Sequence, residues 1–182
     1  MLLDTPLCNF GWKAPNFTLL NPDGERFTMN DCLGDKGLLI LFICNHCPYV
    51  KRIAERLAQD TNVLMEEGIN VLAVMSNDYL DFPADSPVKM KQFAESSGFR
   101  FPYLVDEDQS VGKAYDAICT PDFFGLNNKG ELQYRGRLDD AKMGDSSDRV
   151  PELLNAMRLI AETGKGPETQ YPSMGCSIKW RD

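Results

Sequence analysis

Two periodicities of hydrophobic residues alternate along the chain and predict strands and helices in turn. Residues 38–43 (LLILFI) and 69–76 (INVLAVMS) are continuous apolar runs of strand length, which is typical of strands buried on both faces. Between them, apolar residues recur at helical spacing from Pro48 to a stop at Gly68. Pro48 suits the first helical position, because its missing N–H group would have no partner there. The three segments predict a right-handed βαβ unit.

The rest of the pattern predicts a sheet with further helices around it. Residues 17–29 and 120–138 alternate around glycine-containing turns and predict two β-hairpins. The other expected elements are an extended segment at 101–106, helices at 85–98, 109–117 and 150–164, an irregular lead-in at 1–16 and an irregular tail at 165–182. Together they predict a single α/β domain over residues 1–182. It would have a central mixed β-sheet flanked by helices, an N-terminal β-hairpin and a C-terminal tail.

Composition and charge narrow the class of protein. The 182 residues carry a net charge of −8 with a pI near 4.7. No cluster of Lys and Arg offers the basic face that a nucleic-acid-binding protein needs. The longest apolar run, residues 37–44, is too short to span a bilayer, and the N-terminus lacks the basic segment of a secretory leader. We therefore expect a cytoplasmic protein that binds neither nucleic acid nor membranes.

Six cysteines suggest chemistry, because a reducing compartment disfavours a stable disulfide framework. Cys47 stands between a buried strand and the first turn of a helix, where the active sites of α/β sheets collect. The free N–H groups and positive dipole end of the helix stabilise a thiolate, so they lower the pKa of the thiol and activate it as a nucleophile. His46, the only histidine, either adds an imidazolium charge beside Cys47 or is a surface or capping residue.

Cys44 and Cys47 form a Cys-x-x-Cys pair, which allows three interpretations. The pair could be a dithiol that cycles with its disulfide. It could be half of a zinc site that Cys119 and Cys176 complete. Finally, Cys47 alone could be chemical, with Cys44 a buried residue at the strand end. A second Cys-x-x-Cys motif is absent, which disfavours zinc, so no bound metal is expected.

Five segments spread nearly end to end carry a family resemblance. They are APNFTLLNPDGERFTM, FICNHCPYVK, TPDFF, YRGRLDD and PSMGCSIKW. They resemble thioredoxin-fold proteins of the peroxiredoxin-like group, in the alkyl hydroperoxide reductase and thiol-specific antioxidant superfamily. CNHCPYV with GCSIKW resembles one uncharacterised subgroup of these proteins. The resemblance implies a thioredoxin-like fold and a thiol-dependent oxidoreductase with antioxidant, peroxidase-like or disulfide reductase activity.

The resemblance also implies roles for particular residues. Cys47 with Pro48 after it matches the first, nucleophilic cysteine of thioredoxins, whereas Val50 replaces the second. The Pro-x-x-x-Thr-x-x-Cys pattern of peroxidatic cysteines is absent, so the substrate, a disulfide or a hydroperoxide, stays open. Thr120-Pro121 resembles the loop of thioredoxins that presents a cis-proline to the active-site cysteine. We therefore expect a cis peptide bond there.

Three cysteines are candidates for the thiol that resolves the oxidised Cys47: Cys44, Cys119 and Cys176. Cys119 lies two residues before the expected cis-proline. Cys176 lies in a C-terminal tail, which can provide the mobility that a resolving thiol needs, or else it packs beside Ile178 and Trp180. An external thiol is the remaining route. The resemblance implies electrons from a thioredoxin or glutathione-type donor, no bound cofactor, and a homodimer as in many relatives.

Other interpretations remain beside the oxidoreductase. One is a non-catalytic thioredoxin-fold binding module in which Cys47 is vestigial, and another is a cysteine-ligated metal protein. The acidic segment 137–148 is expected to be a solvated loop. Arg135 or Arg137, which lie at its start, could stabilise the Cys47 thiolate.

Overall fold

The computed structural model describes residues 1–182 and contains ten strands, five α-helices and one 3₁₀ turn. The strands are β1 (Leu2–Asp4), β2 (Thr18–Leu20), β3 (Arg26–Thr28), β4 (Leu38–Phe42), β5 (Asn70–Met75), β6 (Tyr103–Val105), β7 (Cys119–Thr120), β8 (Asp122–Leu126), β9 (Leu132–Tyr134) and β10 (Met174–Ser177). The helices are α1 (Met29–Cys32), α2 (Pro48–Glu66), α3 (Pro87–Ser97), α4 (Ser110–Ala114) and α5 (Glu152–Thr163), and the 3₁₀ turn spans Pro83–Asp85.

A seven-stranded mixed sheet in the order β3-β2-β6-β5-β4-β8-β9 forms the centre. β4 pairs in parallel with β5 and antiparallel with β8, and every residue of β4 is fully buried. Alternate residues of β4 face opposite cores. Leu39 and Leu41 pack with residues of α2, α3 and α5, whereas Leu38 and Ile40 pack with residues of α1 and α4. The predicted mixed sheet with flanking helices is confirmed.

The helices begin and end close to the proline, serine and glycine residues from which their boundaries were predicted. α2 begins at Pro48 and ends two residues before Gly68, whose φ is 85°. At α3, the hydroxyl oxygen of Ser86 accepts a hydrogen bond from the backbone N–H of Lys89, and Gly98 follows the last turn with φ 76°. The helix expected at 109–117 is shorter and spans only α4. No helix of the protein combines the length and apolar character needed to cross a membrane.

A second sheet in the order β1-β10-β7 joins the two ends of the chain. Cys176 in β10 pairs with Leu2 on one side and with Thr120 on the other. Gly175 permits this close approach, because a Cβ atom there would overlap the carbonyl oxygen of Thr120. The expected irregular lead-in and irregular tail are therefore wrong at residues 2–4 and 174–177. Such short strands carry no detectable alternation, and their partners are remote in sequence.

The acidic segment after β9 is a largely exposed loop, as expected, except at Leu138 and Asp139. Asp139 is buried and pairs with Arg56 at 2.8 Å and with Arg149 at 3.3 Å. These pairs fasten the segment to α2, which carries Arg56. The two arginines proposed for the Cys47 thiolate have other partners: Arg135 pairs with Asp122, and Arg137 pairs with Glu152.

Candidate active site

Cys47 is the N-cap residue of α2 and directly precedes Pro48 at the first helical position. The short connection 43–46 leads to it from the end of β4, the central strand of the sheet. This position sets the sulfur beside the first turn of a 19-residue helix, whose amide groups have no helical partners. The Cys47 side chain nevertheless exposes no surface to solvent.

The Cys47 sulfur lies against Cys44 and Thr120. Its Sγ is 3.3 Å from the carbonyl oxygen of Thr120, and Cys44 Sγ is 3.5 Å from the Thr120 hydroxyl. The pKa of Cys47 is lowered chiefly because its thiolate accepts a hydrogen bond from Cys44; burial opposes this, and the Thr120 side chain adds to it. The pKa of Cys44 is raised because it donates that bond and is buried. Cys47 is thus the thiolate of the pair and Cys44 keeps its proton.

Thr120 is followed by a cis peptide bond to Pro121, as predicted. β7 ends at Thr120 and β8 begins at Asp122, so this segment links the small sheet to the large one. Thr120 is buried and contacts both Cys44 and Cys47. The structure therefore brings together the strand–helix junction and the Thr120–Pro121 segment, which the sequence separates by more than seventy positions.

Cys176 approaches Cys47 from the C-terminal strand. It pairs with Thr120, whose carbonyl oxygen lies 3.3 Å from the Cys47 sulfur. Burial raises the pKa of Cys176 first, and the neighbouring Cys47 raises it further. Cys176 keeps part of its surface exposed, unlike Cys47. Cys176 is therefore the most exposed of the three cysteines at this site.

Cys119 is placed differently from the other two candidate resolving thiols. It is fully buried, and its strand partner is Ser177, whereas Cys176 is the partner of Thr120. Burial raises the pKa of Cys119 to about 12, with Asp122 contributing further. The structure thus gathers Cys44 and Cys176 at Cys47 and leaves Cys119 outside this group.

His46 lies against Asp85, a residue that the sequence analysis missed. His46 Nδ1 is 2.5 Å from Asp85 Oδ2, and its ring stacks on Phe82. Asp85 is fully buried and accepts hydrogen bonds from the backbone N–H of Asn45 at 2.8 Å and from Asn77 Nδ2 at 2.9 Å. One signal could have found it: Asp85 lies in the connection after β5, and the carboxyl ends of parallel β4 and β5 meet at one edge.

A cavity of about 270 Å³ lies next to the Thr120–Pro121 segment. Its walls include Tyr49 and Ile53 of α2, Pro121, and Met174 of β10. None of the cysteines lines it, but Pro121 and Met174 are direct neighbours of Thr120 and Gly175, which lie at the site. A larger one of about 740 Å³ is lined by residues 15–24 and 105–115 and by none of the cysteines. The smaller cavity therefore offers space for part of a substrate beside the site.

Solved structures of other proteins share this architecture. An uncharacterized conserved protein from Geobacillus kaustophilus is 41% identical with a TM-score of 0.93, covering 100% of this chain and 97% of that one. A hypothetical protein from Sinorhizobium meliloti is 37% identical with a TM-score of 0.90, covering 98% of each chain. The thioredoxin domain of a Bacteroides vulgatus thiol-disulfide oxidoreductase, 16% identical with a TM-score of 0.64 over 84% of this chain and 97% of that one, shows the thioredoxin-like fold.

Curated relatives cover most of the chain. Thiol-disulfide oxidoreductase ResA from Bacillus subtilis is 29% identical over 122 residues, which are 67% of this chain and 64% of that protein's length. Peroxiredoxin Bcp from Escherichia coli is 27% identical over 154 residues, 78% of this chain and 92% of that protein. Residues 10–135, which include Cys47 and Thr120, match the AhpC/TSA family. The chain therefore belongs to the AhpC/TSA family and has a thioredoxin-like fold.

Proposed function

We propose that this protein is a thiol oxidoreductase in which Cys47 is the nucleophile and Cys176 the resolving thiol. The observation that carries the proposal is the meeting of three cysteines at Thr120. At the start of α2 the Cys47 and Cys44 sulfurs lie 3.3 and 3.5 Å from its oxygens, and Cys176 is its strand partner. The Cys44 thiol stabilises the Cys47 thiolate, which is the reactive form. A purely structural cysteine has no need of such a donor.

The chemistry with a disulfide takes two exchange steps. The Cys47 thiolate attacks one sulfur of the substrate and forms a mixed disulfide, and the other sulfur leaves as a thiolate that takes up a proton. Cys176 then loses its proton and attacks the Cys47 sulfur. This second exchange closes an intramolecular Cys47–Cys176 disulfide and releases the remaining substrate thiol, so the substrate is reduced by two electrons.

A hydroperoxide substrate reacts by a related route. The Cys47 thiolate attacks the terminal peroxide oxygen, becomes a sulfenic acid and releases an alcohol or water. Condensation with the Cys176 thiol then forms the same disulfide and releases water. In both routes a thioredoxin or glutathione-type thiol reduces the disulfide again, and we propose a cytoplasmic location, where such donors are abundant.

Cys176 is preferred to Cys44 as the resolving thiol because of its access to solvent. Cys44 is completely enclosed, whereas Cys176 is partly exposed and lies on a strand near the chain end. β10 is held by ladders of only three residue pairs to β1 and two to β7. Short ladders at a terminus open at low free energy, and such opening would uncover Cys47 for its substrate.

The test is the mass of the reduced protein, intact and digested, after one equivalent of hydrogen peroxide or of a small aromatic disulfide. We expect a Cys47–Cys176 disulfide in the wild type and in the control variant Cys119→Ser. Cys176→Ser should stop at a sulfenic acid or mixed disulfide on Cys47, or form a Cys44–Cys47 bond. Cys47→Ser should give none of these products.

Two results would overturn the proposal. If neither oxidant modifies Cys47 under conditions that oxidise a reference peroxiredoxin, the non-catalytic binding module becomes the better interpretation. The complete burial of Cys47 would then be its permanent state. If Cys47 reacts but pairs with Cys119, the assignment of Cys176 is wrong although the enzyme class stands.

A further inference from the structure

Three different ligand-type atoms converge beside the thiols. Cys44 Sγ, His46 Nδ1 and a carboxylate oxygen of Asp85 all lie within 4.8 Å of one another. Cys44 and Asp85 are buried, whereas the His46 side chain is 28% exposed. The Nδ1 atom of His46 is itself buried, so a cation reaches the three atoms when the partly exposed His46 side chain moves. His46 and Asp85 have no role in the thiol exchange described above.

Asp85 is a buried carboxylate without a fixed countercharge. No Arg or Lys nitrogen lies within ion-pair distance of it, and its one charged neighbour is the ionisable His46. By contrast, buried Asp122 pairs with Arg135 and buried Asp139 pairs with Arg56, each at 2.8 Å. Burying an unpaired carboxylate is strongly unfavourable. The site therefore calls for a positive charge that the arginines of this protein do not provide.

The nitrogen of His46 is in an equally unusual state. Nδ1 is buried and has no hydrogen-bond partner, because its close contact with Asp85 lacks the angle of a hydrogen bond. The imidazole ring is held parallel to Phe82, with 8° between the planes and 6.0 Å between the centroids. His46 Nδ1 is therefore a buried ring nitrogen that makes no hydrogen bond and is available to a cation.

The carboxylate of Asp85 is oriented by its neighbours. Its Oδ1 accepts the backbone N–H of Asn45, and its Oδ2 accepts Asn77 Nδ2. The side chain of Asn45 is fixed in turn by the Tyr103 hydroxyl at 2.8 Å and by its own bond to the carbonyl oxygen of Ala84 at 3.1 Å. Metal-binding carboxylates are typically held by outer hydrogen bonds of this kind.

We propose that Cys44, His46 and Asp85 bind a zinc-type divalent cation in the reduced protein. Thiolate sulfur, imidazole nitrogen and carboxylate oxygen are the ligands that zinc takes in proteins. Bonds of about 2.0 to 2.3 Å put the ligands of a tetrahedral zinc ion roughly 3.5 Å apart. Binding therefore requires the partly exposed His46 ring to move away from Asp85, since Nδ1 and Oδ2 are 2.5 Å apart without the cation.

The cation would also neutralise the negative charges of the site. Binding releases the Cys44 proton to solvent, and the two positive charges of zinc balance the Cys44 thiolate and the Asp85 carboxylate. Water would complete the fourth position, as it does in zinc sites with three protein ligands. Because a disulfide at Cys44 removes a ligand, zinc binding at this site requires the reduced protein.

The experiment is a titration of the reduced, chelator-treated protein with Co²⁺ and then Zn²⁺, followed by the absorption of the thiolate–cobalt bond. We expect one equivalent of Co²⁺ to give this absorption and Zn²⁺ to displace it. His46→Gln and Asp85→Asn should each weaken Zn²⁺ binding by about tenfold or more. Cys119→Ser is the matched control, a buried cysteine outside the cluster, and should bind like the wild type.

Each outcome of the titration either supports this ligand set or excludes it. The proposal is overturned if the wild type shows no thiolate–cobalt absorption, or if both His46→Gln and Asp85→Asn bind Zn²⁺ like the wild type. Weaker binding in Cys119→Ser would overturn it in favour of a site made of cysteines alone. His46→Gln changes a partly exposed side chain, so it remains informative if Asp85→Asn fails to fold. The titration contains no oxidant, so its result is independent of whether Cys47 is catalytic.

Discussion

A buried aspartate lies on each of the two flanks of the Thr120–Pro121 segment, but the two aspartates have different partners for their negative charge. The arginine flank consists of Cys119, Asp122 and Arg135, and there both oxygens of Asp122 receive Arg135, from Nη2 at 2.8 Å and from Nε at 3.3 Å. The thiol flank consists of Cys44, His46, Cys47 and Asp85. There the one ionisable partner of the buried Asp85 carboxylate is the His46 ring. Both carboxylates are fully buried, so exposure does not explain the difference.

This difference shows which flank can change its charge and its oxidation state. Arg135 is permanently charged and also lies 4.4 Å from the centroid of the Phe124 ring, so the countercharge of the arginine flank is fixed, although burial raises the pKa of Asp122 to about 6. On the thiol flank the charge depends on protons, on oxidation of the thiols and on any bound cation. Among the cysteines, the pKa of Cys119 is raised, whereas the thiol flank holds both a raised pKa at Cys44 and a lowered one at Cys47. Reactive chemistry belongs where the countercharge is not fixed.

The largest expected effect is the loss of stability on neutralising Asp122. Asp122→Asn keeps the shape of the side chain but leaves the buried Arg135 guanidinium without a countercharge. We expect the free energy of unfolding to fall by about 3 to 5 kcal/mol, the usual result of removing one partner of a buried ion pair. Urea denaturation measures this directly.

Asp4→Asn is the control, since Asp4 is exposed and makes no ion pair within 4.0 Å. It should leave the urea midpoint nearly unchanged. If Asp122→Asn lowers the free energy of unfolding by less than about 1 kcal/mol, the Asp122–Arg135 ion pair does not stabilise the fold substantially. The proposed contrast between the flanks would then fail on its arginine side.

The next effect concerns the pH at which Cys47 reacts in the metal-free protein. The Cys44 thiol is the main cause of the lowered Cys47 pKa, so Cys44→Ala should raise that pKa. The sign follows directly: with a higher pKa less thiolate exists at low pH, and the alkylation profile moves to higher pH. Loss of a hydrogen bond to a charged group, about 1.5 to 3 kcal/mol, corresponds to roughly tenfold or more slower alkylation at pH 6.

Cys119→Ala tests whether the arginine flank has any part in this. It removes a thiol of similar burial that does not donate to Cys47, and its alkylation profile should keep the wild-type midpoint. Midpoints are compared rather than absolute rates, because the opening of β10 affects access to Cys47 equally at each pH. Equal midpoints in Cys44→Ala and the wild type would contradict the assignment of Cys44 as the donor.

Local sequence signals were sufficient for the elements around Cys47. β4 and α2 are predicted correctly by the apolar run 38–43, by Pro48 at the helix start and by Gly68 after the helix end. These signals lie within or next to each segment, so they do not depend on distant residues. The Thr120–Pro121 cis bond followed from the family resemblance. The sequence therefore predicts the position of the proposed nucleophile, Cys47, and of the Thr120–Pro121 segment that lies against it.

Long-range partners could not be predicted in the same way. β10 is a four-residue strand whose pairing with β1 and β7 depends on both ends of the chain meeting. Asp85 precedes the capping residue Ser86, so its neighbourhood predicts only the start of a helix. Its role depends on contacts with Asn45, His46 and Asn77, which no local pattern brings together.

The smallest expected effect is also the sharpest test of the comparison. Asp85→Asn is the same isosteric change as Asp122→Asn, but on the thiol flank it leaves no arginine unpaired. The new amide loses the bond from Asn77 and can donate to His46 Nδ1, so one lost and one gained hydrogen bond nearly cancel. We therefore expect a cost of about 1 kcal/mol or less by urea denaturation of the metal-free protein. A cost as large as that of Asp122→Asn would mean that His46 is a fixed imidazolium paired with Asp85; the two flanks would then be alike, and Asp85 would need no cation from solution.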